Sequence, residues 1–144
     1  MQYLTISEKQ TFNLAKQIAK EFKSKKIIGL IGELGTGKTI FVKGLAAGLG
    51  IKRNITSPTF VLMRVYKIAN RKSQIANFVH IDAYRIKSAK DLLAIGVEEY
   101  FKRPDTITVI EWADKIKKIL PHGVKFIRIE QKNKNIRIIK LRRV

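Results

Sequence analysis

Apolar positions along this chain change period several times, and each change marks a boundary between elements. Phe12, Ala15, Ile18, Ala19 and Phe22 recur at spacings of three and four behind Ser7-Glu8-Lys9-Gln10, a capping-box pattern, which predicts a helix from about Ser7 to Phe22. Lys26 to Ile31 then runs apolar without alternation, as a strand buried on both faces does. Helical spacing returns from Ile40 to Leu49 and stops at Gly50. Phe60–Ile68 and Gln74–Ile81 read as two strands around a turn at Asn70-Arg71-Lys72. Ser88-Ala89-Lys90-Asp91 opens a short helix carrying Leu92, Leu93 and Ile95 and stopped at Gly96. Thr106 to Ile110 is a β-branched strand ending at Glu111, and Val124–Glu130 with Ile136–Leu141 forms a last hairpin. No internal repeat, linker or low-complexity segment interrupts the series.

Strands that alternate with helices imply a three-layer α/β fold, and the hairpins imply a mixed, mostly parallel central sheet with antiparallel additions. The 144 residues suit one domain, 1–144, large enough to cover both faces of such a sheet. No apolar stretch approaches the roughly 18 to 20 residues needed to span a bilayer, and Met1 to Thr5 lacks the features of a signal peptide, so a cytoplasmic protein is expected. The absence of cysteine excludes disulfides, thiolate-bound zinc and thiol catalysis, and two histidines, His80 and His122, leave little for a histidine-built metal site.

The chemistry concentrates between the first strand and the second helix. Gly32-Glu33-Leu34-Gly35-Thr36-Gly37-Lys38-Thr39 has the phosphate-loop spacing: glycine, four residues, then Gly-Lys-Thr, between an apolar strand and a helix. Glycines let successive backbone N–H groups turn inward onto phosphate oxygens, and the helix adds its positive end. Lys38 can reach the β and γ phosphates, and the Thr39 hydroxyl can ligate Mg²⁺. The alternative, a glycine-rich turn that happens to precede Lys-Thr, leaves the strand and helix context unexplained.

Ligands on open α/β sheets gather at strand carboxyl ends, which directs attention to Asp82 after Phe78-Val79-His80-Ile81 and Glu111 after Ile107-Thr108-Val109-Ile110. An acid there, beside a phosphate loop, can hold Mg²⁺ or orient an attacking water. At least one of the two belongs in the site.

Lys and Arg outnumber Asp and Glu by 30 to 11, for a formal charge of +19. Such a field favours encounter with polyanions, RNA included. Compositional drift explains the excess as well, since lysines occur in nearly every segment. The densest cluster, Lys132 to Arg143, carries Ile136, Ile138 and Leu141 between its charges and reads as a strand with a solvated basic face; no aromatic residues interleave to stack RNA bases.

Five motifs in order, the octet, Thr56-Ser57-Pro58-Thr59-Phe60, His80-Ile81-Asp82-Ala83-Tyr84-Arg85, Gly96-Val97-Glu98-Glu99-Tyr100-Phe101 and Val109-Ile110-Glu111-Trp112, resemble the bacterial TsaE family. These are small P-loop ATPases of tRNA threonylcarbamoyladenosine biosynthesis. The resemblance covers about Glu8 to Trp112, with mild departures at Glu33, Ile40 and Ala83. It implies ATP and Mg²⁺ as cofactors, Lys38 on the β and γ phosphates, Thr39 and Glu111 on the metal, and Asp82 near the γ phosphate. It further implies that Thr59 belongs to a switch-like loop, that Glu8 lies near the adenosine half, and that Trp112 packs near the base; an ordinary turn at Thr56–Phe60 and a core position for Trp112 are the plain readings of the same residues. His80 would orient backbone or pack beside the site, and His122 would lie in a surface loop. Tyr84, Arg85, Tyr100 and Phe101 would pack the sheet or face a partner.

By the same resemblance the chain acts with TsaD and TsaB, contacts tRNA indirectly and hydrolyses ATP slowly alone. No fixed arginine finger is evident in the sequence. Two competing classes are a small-molecule kinase using the same loop, disfavoured by the short helical segment between Asp82 and Glu111, and a nucleic-acid-binding module, supported by charge alone.

Overall fold

A computed structural model describes residues 1–33, 35–56, 62–69 and 74–142. Seven strands form one sheet: β1 (Gln2–Thr5), β2 (Lys26–Ile31), β3 (Met63–Lys67), β4 (Asn77–Asp82), β5 (Thr106–Glu111), β6 (Lys125–Gln131) and β7 (Arg137–Arg142). The helices are α1 (Glu8–Lys20), α2 (Lys38–Gly48), α3 (Ala89–Ala94) and α4 (Val97–Lys102), with a 3-10 segment at Ala113–Ile119. Sheet order is β1-β7-β6-β2-β5-β4-β3. Parallel pairing is confined to the central strands β6, β2, β5 and β4, while β1/β7, β6/β7 and β3/β4 pair antiparallel.

Strand alternation divides the core into two layers. Ile28, Leu30, Phe78, Ile107, Val109, Ile127 and Ile129 face α1 and α2. Ile27, Val79, Ile81 and Ile110 face α3, α4 and the 3-10 segment with Leu92, Val97, Phe101 and Ile116. Every residue of β5 is buried, as a strand flanked by parallel neighbours and covered on both faces requires.

The capping box at the start of α1 forms with a shift. Ser7 Oγ accepts from Gln10 N at 3.1 Å, but Gln10 Oε1 reaches past the cap to accept from Ile6 N at 2.9 Å. Helix α2 begins at Lys38, two positions earlier than the apolar periodicity predicts, because the loop leads into it without a break. Hydrophobic spacing does not foretell β1, which has four residues and leaves Leu4 exposed. The helical stretch after Ser88 is two helices broken at Gly96, whose φ of 82° lies in the left-handed region.

The basic strand β7 is also corrected. Arg137 and Ile139 are buried toward α1 and α2, so Arg137 is not on a solvated face. Residues 60 and 61 of the strand expected at 60–68 lie outside the described residues, as does the turn at 70–72. Among the described residues no helix is long and apolar enough to cross a membrane.

Candidate nucleotide-binding site

The chain leaves β2 for α2 and later returns on the opposite side of β2 as β6, which makes the carboxyl end of β2 a point where strand order reverses. The octet sits there. Gly35 and Gly37 have φ of 77° and 100°, conformations that cost other residues energy and that curl the loop back on itself. Gly37 caps α2 with no side-chain hydrogen bond, so the first N–H groups of an eleven-residue helix remain open to an anion.

Lys38 is 5% exposed, and its Nζ donates to the carbonyls of Gly32 and Glu33, both at 2.6 Å. The ammonium also stands 4.3 Å from the centre of the Trp112 ring. Burial lowers its pKa, with Glu111 and Asp82 opposing the effect through their charge.

Opposite this helix start stand the strand-end acids. Alternation places His80 and Asp82 on the face of β4 that Phe78 presents to α2, and Glu111 on the same face of β5 as Val109. Asp82 and Glu111 are register partners on neighbouring parallel strands. Glu111, 3% exposed, is held at both oxygens: Oε2 lies 2.6 Å from His80 Nε2, and Oε1 accepts from Thr39 Oγ1 at 3.3 Å. Asp82 is half-buried; Oδ1 accepts from Tyr84 N at 3.0 Å, and desolvation raises its carboxyl pKa above the ordinary 3.8.

Two oxygen donors at Thr39 and Glu111 match the hard-ligand preference of Mg²⁺, so these residues fit that cation. Among the described residues no cluster of three His, Cys, Asp or Glu side chains could cage a metal, and a cation held here would complete its sphere with phosphate oxygens and water.

A cleft of about 360 Å³ joins Gly35, Gly37, Lys38, Thr39, Asp82 and Glu111 with Glu8, Trp112 and Arg137. A second of about 610 Å³, on the far side of the loop, is lined by Gly32, Glu33, Thr36, Trp112, Asp114 and residues of β6. Trp112 walls both and packs its ring against the lower core, so it is neither a pure core residue nor free in solvent. It is the one described non-glycine residue with positive φ, at 59°, a strained conformation for a bulky side chain, held where the two clefts meet.

Among the residues expected at the site, Gly32, Glu33, Gly35, Thr36, Gly37, Lys38, Thr39, Asp82, Glu111, Trp112 and the exposed Glu8 lie around these two clefts. Leu34 and Thr59, with the rest of 57–61, lie outside the described residues. Tyr84 and Arg85 are exposed, the Tyr84 ring 5.0 Å from that of Trp112, while Phe101 is core and His122 is exposed beyond the site. His80 does more than pack beside the site, since it binds Glu111.

Arg137 was not legible as a site residue. Its Nε donates to Thr36 O at 2.9 Å from 101 positions away. Arg137-Ile138-Ile139-Lys140-Leu141 offers an apolar residue in either phase, so alternation alone does not say which face the arginine takes.

The comparisons with known proteins converge. A family model described as threonylcarbamoyl adenosine biosynthesis protein TsaE matches residues 5–139. The tRNA threonylcarbamoyladenosine biosynthesis protein TsaE of Rickettsia typhi is 35% identical over 138 residues, 95% of this chain and 91% of that protein. The protein of the same name from Borreliella burgdorferi is 39% identical over 115 residues, covering 80% of each chain. The crystal structure of Bacillus subtilis YdiB superposes with a TM-score of 0.80 at 30% identity, across all of this chain and 85% of that one.

Proposed function

The chain belongs to the TsaE family, and from that premise we propose that it is a cytoplasmic, Mg²⁺-dependent ATPase of tRNA threonylcarbamoyladenosine biosynthesis that acts with TsaD and TsaB. The observation that carries the ATPase reading is one juxtaposition: Lys38 and Thr39 open a helix whose free N–H groups face Glu111 and Asp82 on adjacent strand ends.

Each side chain has a task that its surroundings support. The Lys38 ammonium is buried against two carbonyls and has no bonded counter-anion among the described residues; β and γ phosphate oxygens supply the charge that burial denies it. Glu111 is locked between His80 and Thr39, so its carboxylate needs no reorganisation when the nucleotide arrives. Thr39 Oγ1 and Glu111 Oε1 would hold Mg²⁺, which when bound neutralises charge on the phosphate oxygens. Asp82 Oδ1 is anchored, Oδ2 has no hydrogen-bond partner among the described residues, and burial makes the carboxylate a stronger proton acceptor than an exposed one. It orients the attacking water. Trp112 covers the loop and limits water around Lys38.

Turnover by the chain alone is expected to be slow, with stimulation from the partner pair through a completed site. The test is ATP turnover by the wild type, Lys38→Ala and Glu111→Gln, alone and with TsaD and TsaB, alongside pull-down in ATP-analogue and ADP states. The expected result is slow hydrolysis, lost in both variants, raised by the partners and accompanied by different partner affinity in the two states. Wild-type turnover in Lys38→Ala would overturn the site. Efficient phosphorylation of a small metabolite by the chain alone would establish the kinase reading instead.

A further inference from the structure

Arg137 is 5% exposed, yet it forms no ion pair with any described residue. Among the described residues only its Nε–H is hydrogen-bonded, to the Thr36 carbonyl at 2.9 Å, and its terminal nitrogens are not among the buried side-chain atoms that lack a partner, so they open onto the cleft. The side chain lies so close to the loop that a Cβ on Gly37 would meet Arg137 Nε at 2.9 Å. It also lines the cleft that holds Lys38, Thr39 and Glu111. Arginine presents five N–H donors in a rigid fork that suits phosphate oxygens, and four of them have no hydrogen-bond partner among the described residues.

We propose that Arg137 is a second, in-chain cation of the nucleotide site: Nε–H braces the Thr36 carbonyl, and the terminal guanidinium N–H groups bind the phosphate chain of a nucleoside di- or triphosphate. This rests on the nucleotide-binding reading above and deepens it. The position of Arg137 explains how it can do both. It is the first residue of β7, and because β7 runs antiparallel to β6, that end lies beside the carboxyl ends of β6 and β2, where the loop begins. Bracing the carbonyl outward keeps the amides of the same loop turned inward toward an anion. The phosphate chain then supplies the counter-charge that no described residue gives Arg137, so the last hairpin becomes part of the nucleotide site.

The test measures ADP and adenosine binding by calorimetry with the full chain, wild type against Arg137→Gln and Arg137→Lys. Loss of a charge-assisted hydrogen bond to phosphate should weaken ADP about tenfold to a hundredfold in Arg137→Gln. Adenosine affinity should stay unchanged, and Arg137→Lys, which keeps the charge, should recover most of the ADP affinity. ADP affinity equal to wild type in Arg137→Gln, or equal losses of ADP and adenosine, would overturn the proposal and leave Arg137 as a structural brace.

If Arg137→Gln does not fold, the wild type decides. In ¹⁵N-labelled protein the Arg137 Nε–H resonance should shift on saturation with ADP and not with adenosine, and a resonance unmoved by ADP overturns the proposal. A wild type that binds ADP beside an unaffected Arg137→Gln removes only this inference. A wild type that binds no nucleotide removes the ATPase reading with it.

Discussion

His80 and Glu111 meet inside the sheet with Nε2 and Oε2 2.6 Å apart, the imidazole wholly buried and the carboxylate nearly so. Facing a carboxylate oxygen, Nε2 is the donor, and Nδ1 has no hydrogen-bond partner among the described residues. An imidazole held this way fixes the direction of the carboxylate and leaves Oε1 for Thr39. Second-layer hydrogen bonds of this type commonly contribute ten- to a hundredfold to metal affinity. His80→Ala should therefore raise the Mg²⁺ concentration needed for half-maximal turnover about tenfold or more, while metal-free ADP binding changes little. His80→Gln, which retains a donor, should restore part of it. Mg²⁺ titrations of turnover, paired with ADP calorimetry in a chelator, separate this from general damage to the fold.

Asp82 is a case of stability given up at the site. Burial raises its carboxyl pKa above 3.8, so between that value and the raised one the folded chain binds more protons than the unfolded chain, and stability falls as pH rises through the window. Above the window the penalty is constant. Asp82→Asn keeps an oxygen for the Tyr84 N–H and removes the charge. It should melt higher than wild type near pH 7, lose that advantage near pH 4, and hydrolyse ATP poorly. A lower melting temperature at neutral pH would show that the carboxylate is stabilising.

Two glycines bring α1 and α2 close enough to share one layer. A Cβ on Gly44 would meet Phe12 O and, at 2.7 Å, Ala15 Cβ; one on Gly48 would meet Lys16 O and, at 2.8 Å, Ala19 Cβ. Alanine raises helix propensity by about 1 kcal/mol, but overpacking costs about 1–3 kcal/mol, so packing decides the sign. Gly44→Ala should destabilise by about 1 kcal/mol in denaturant unfolding. Because α2 carries Lys38 and Thr39, the same substitution should also weaken ADP binding.

Trp112 is the single tryptophan, and the Lys38 ammonium lies 4.3 Å from its ring centre. If Lys38 leaves the ring for a phosphate, the local field on the indole changes. Tryptophan emission should respond to ADP in the wild type and not in Lys38→Met. A response of equal size in the variant would mean that Trp112 senses the nucleotide without Lys38.

The local parts of this protein were legible in its sequence because they rest on short-range rules. Glycine spacing sets the curl of the loop, Ser7 caps its own helix, and the five-residue apolar run Ile27–Ile31 reads as a buried strand once a phosphate loop follows it. Asp82 and Glu111 could be named as candidates only because of the loop beside them, since acids at strand ends are common and ligands on such sheets gather at that edge. Register and phase were another matter. That His80 belongs to Glu111, and that Arg137 turns inward to Thr36, depend on which strands become neighbours and which face each presents. A strand with apolar residues in both phases carries no local record of that choice. Only the order β7-β6-β2-β5-β4 decides it, since it places the start of β7 and the ends of β5 and β4 around one loop.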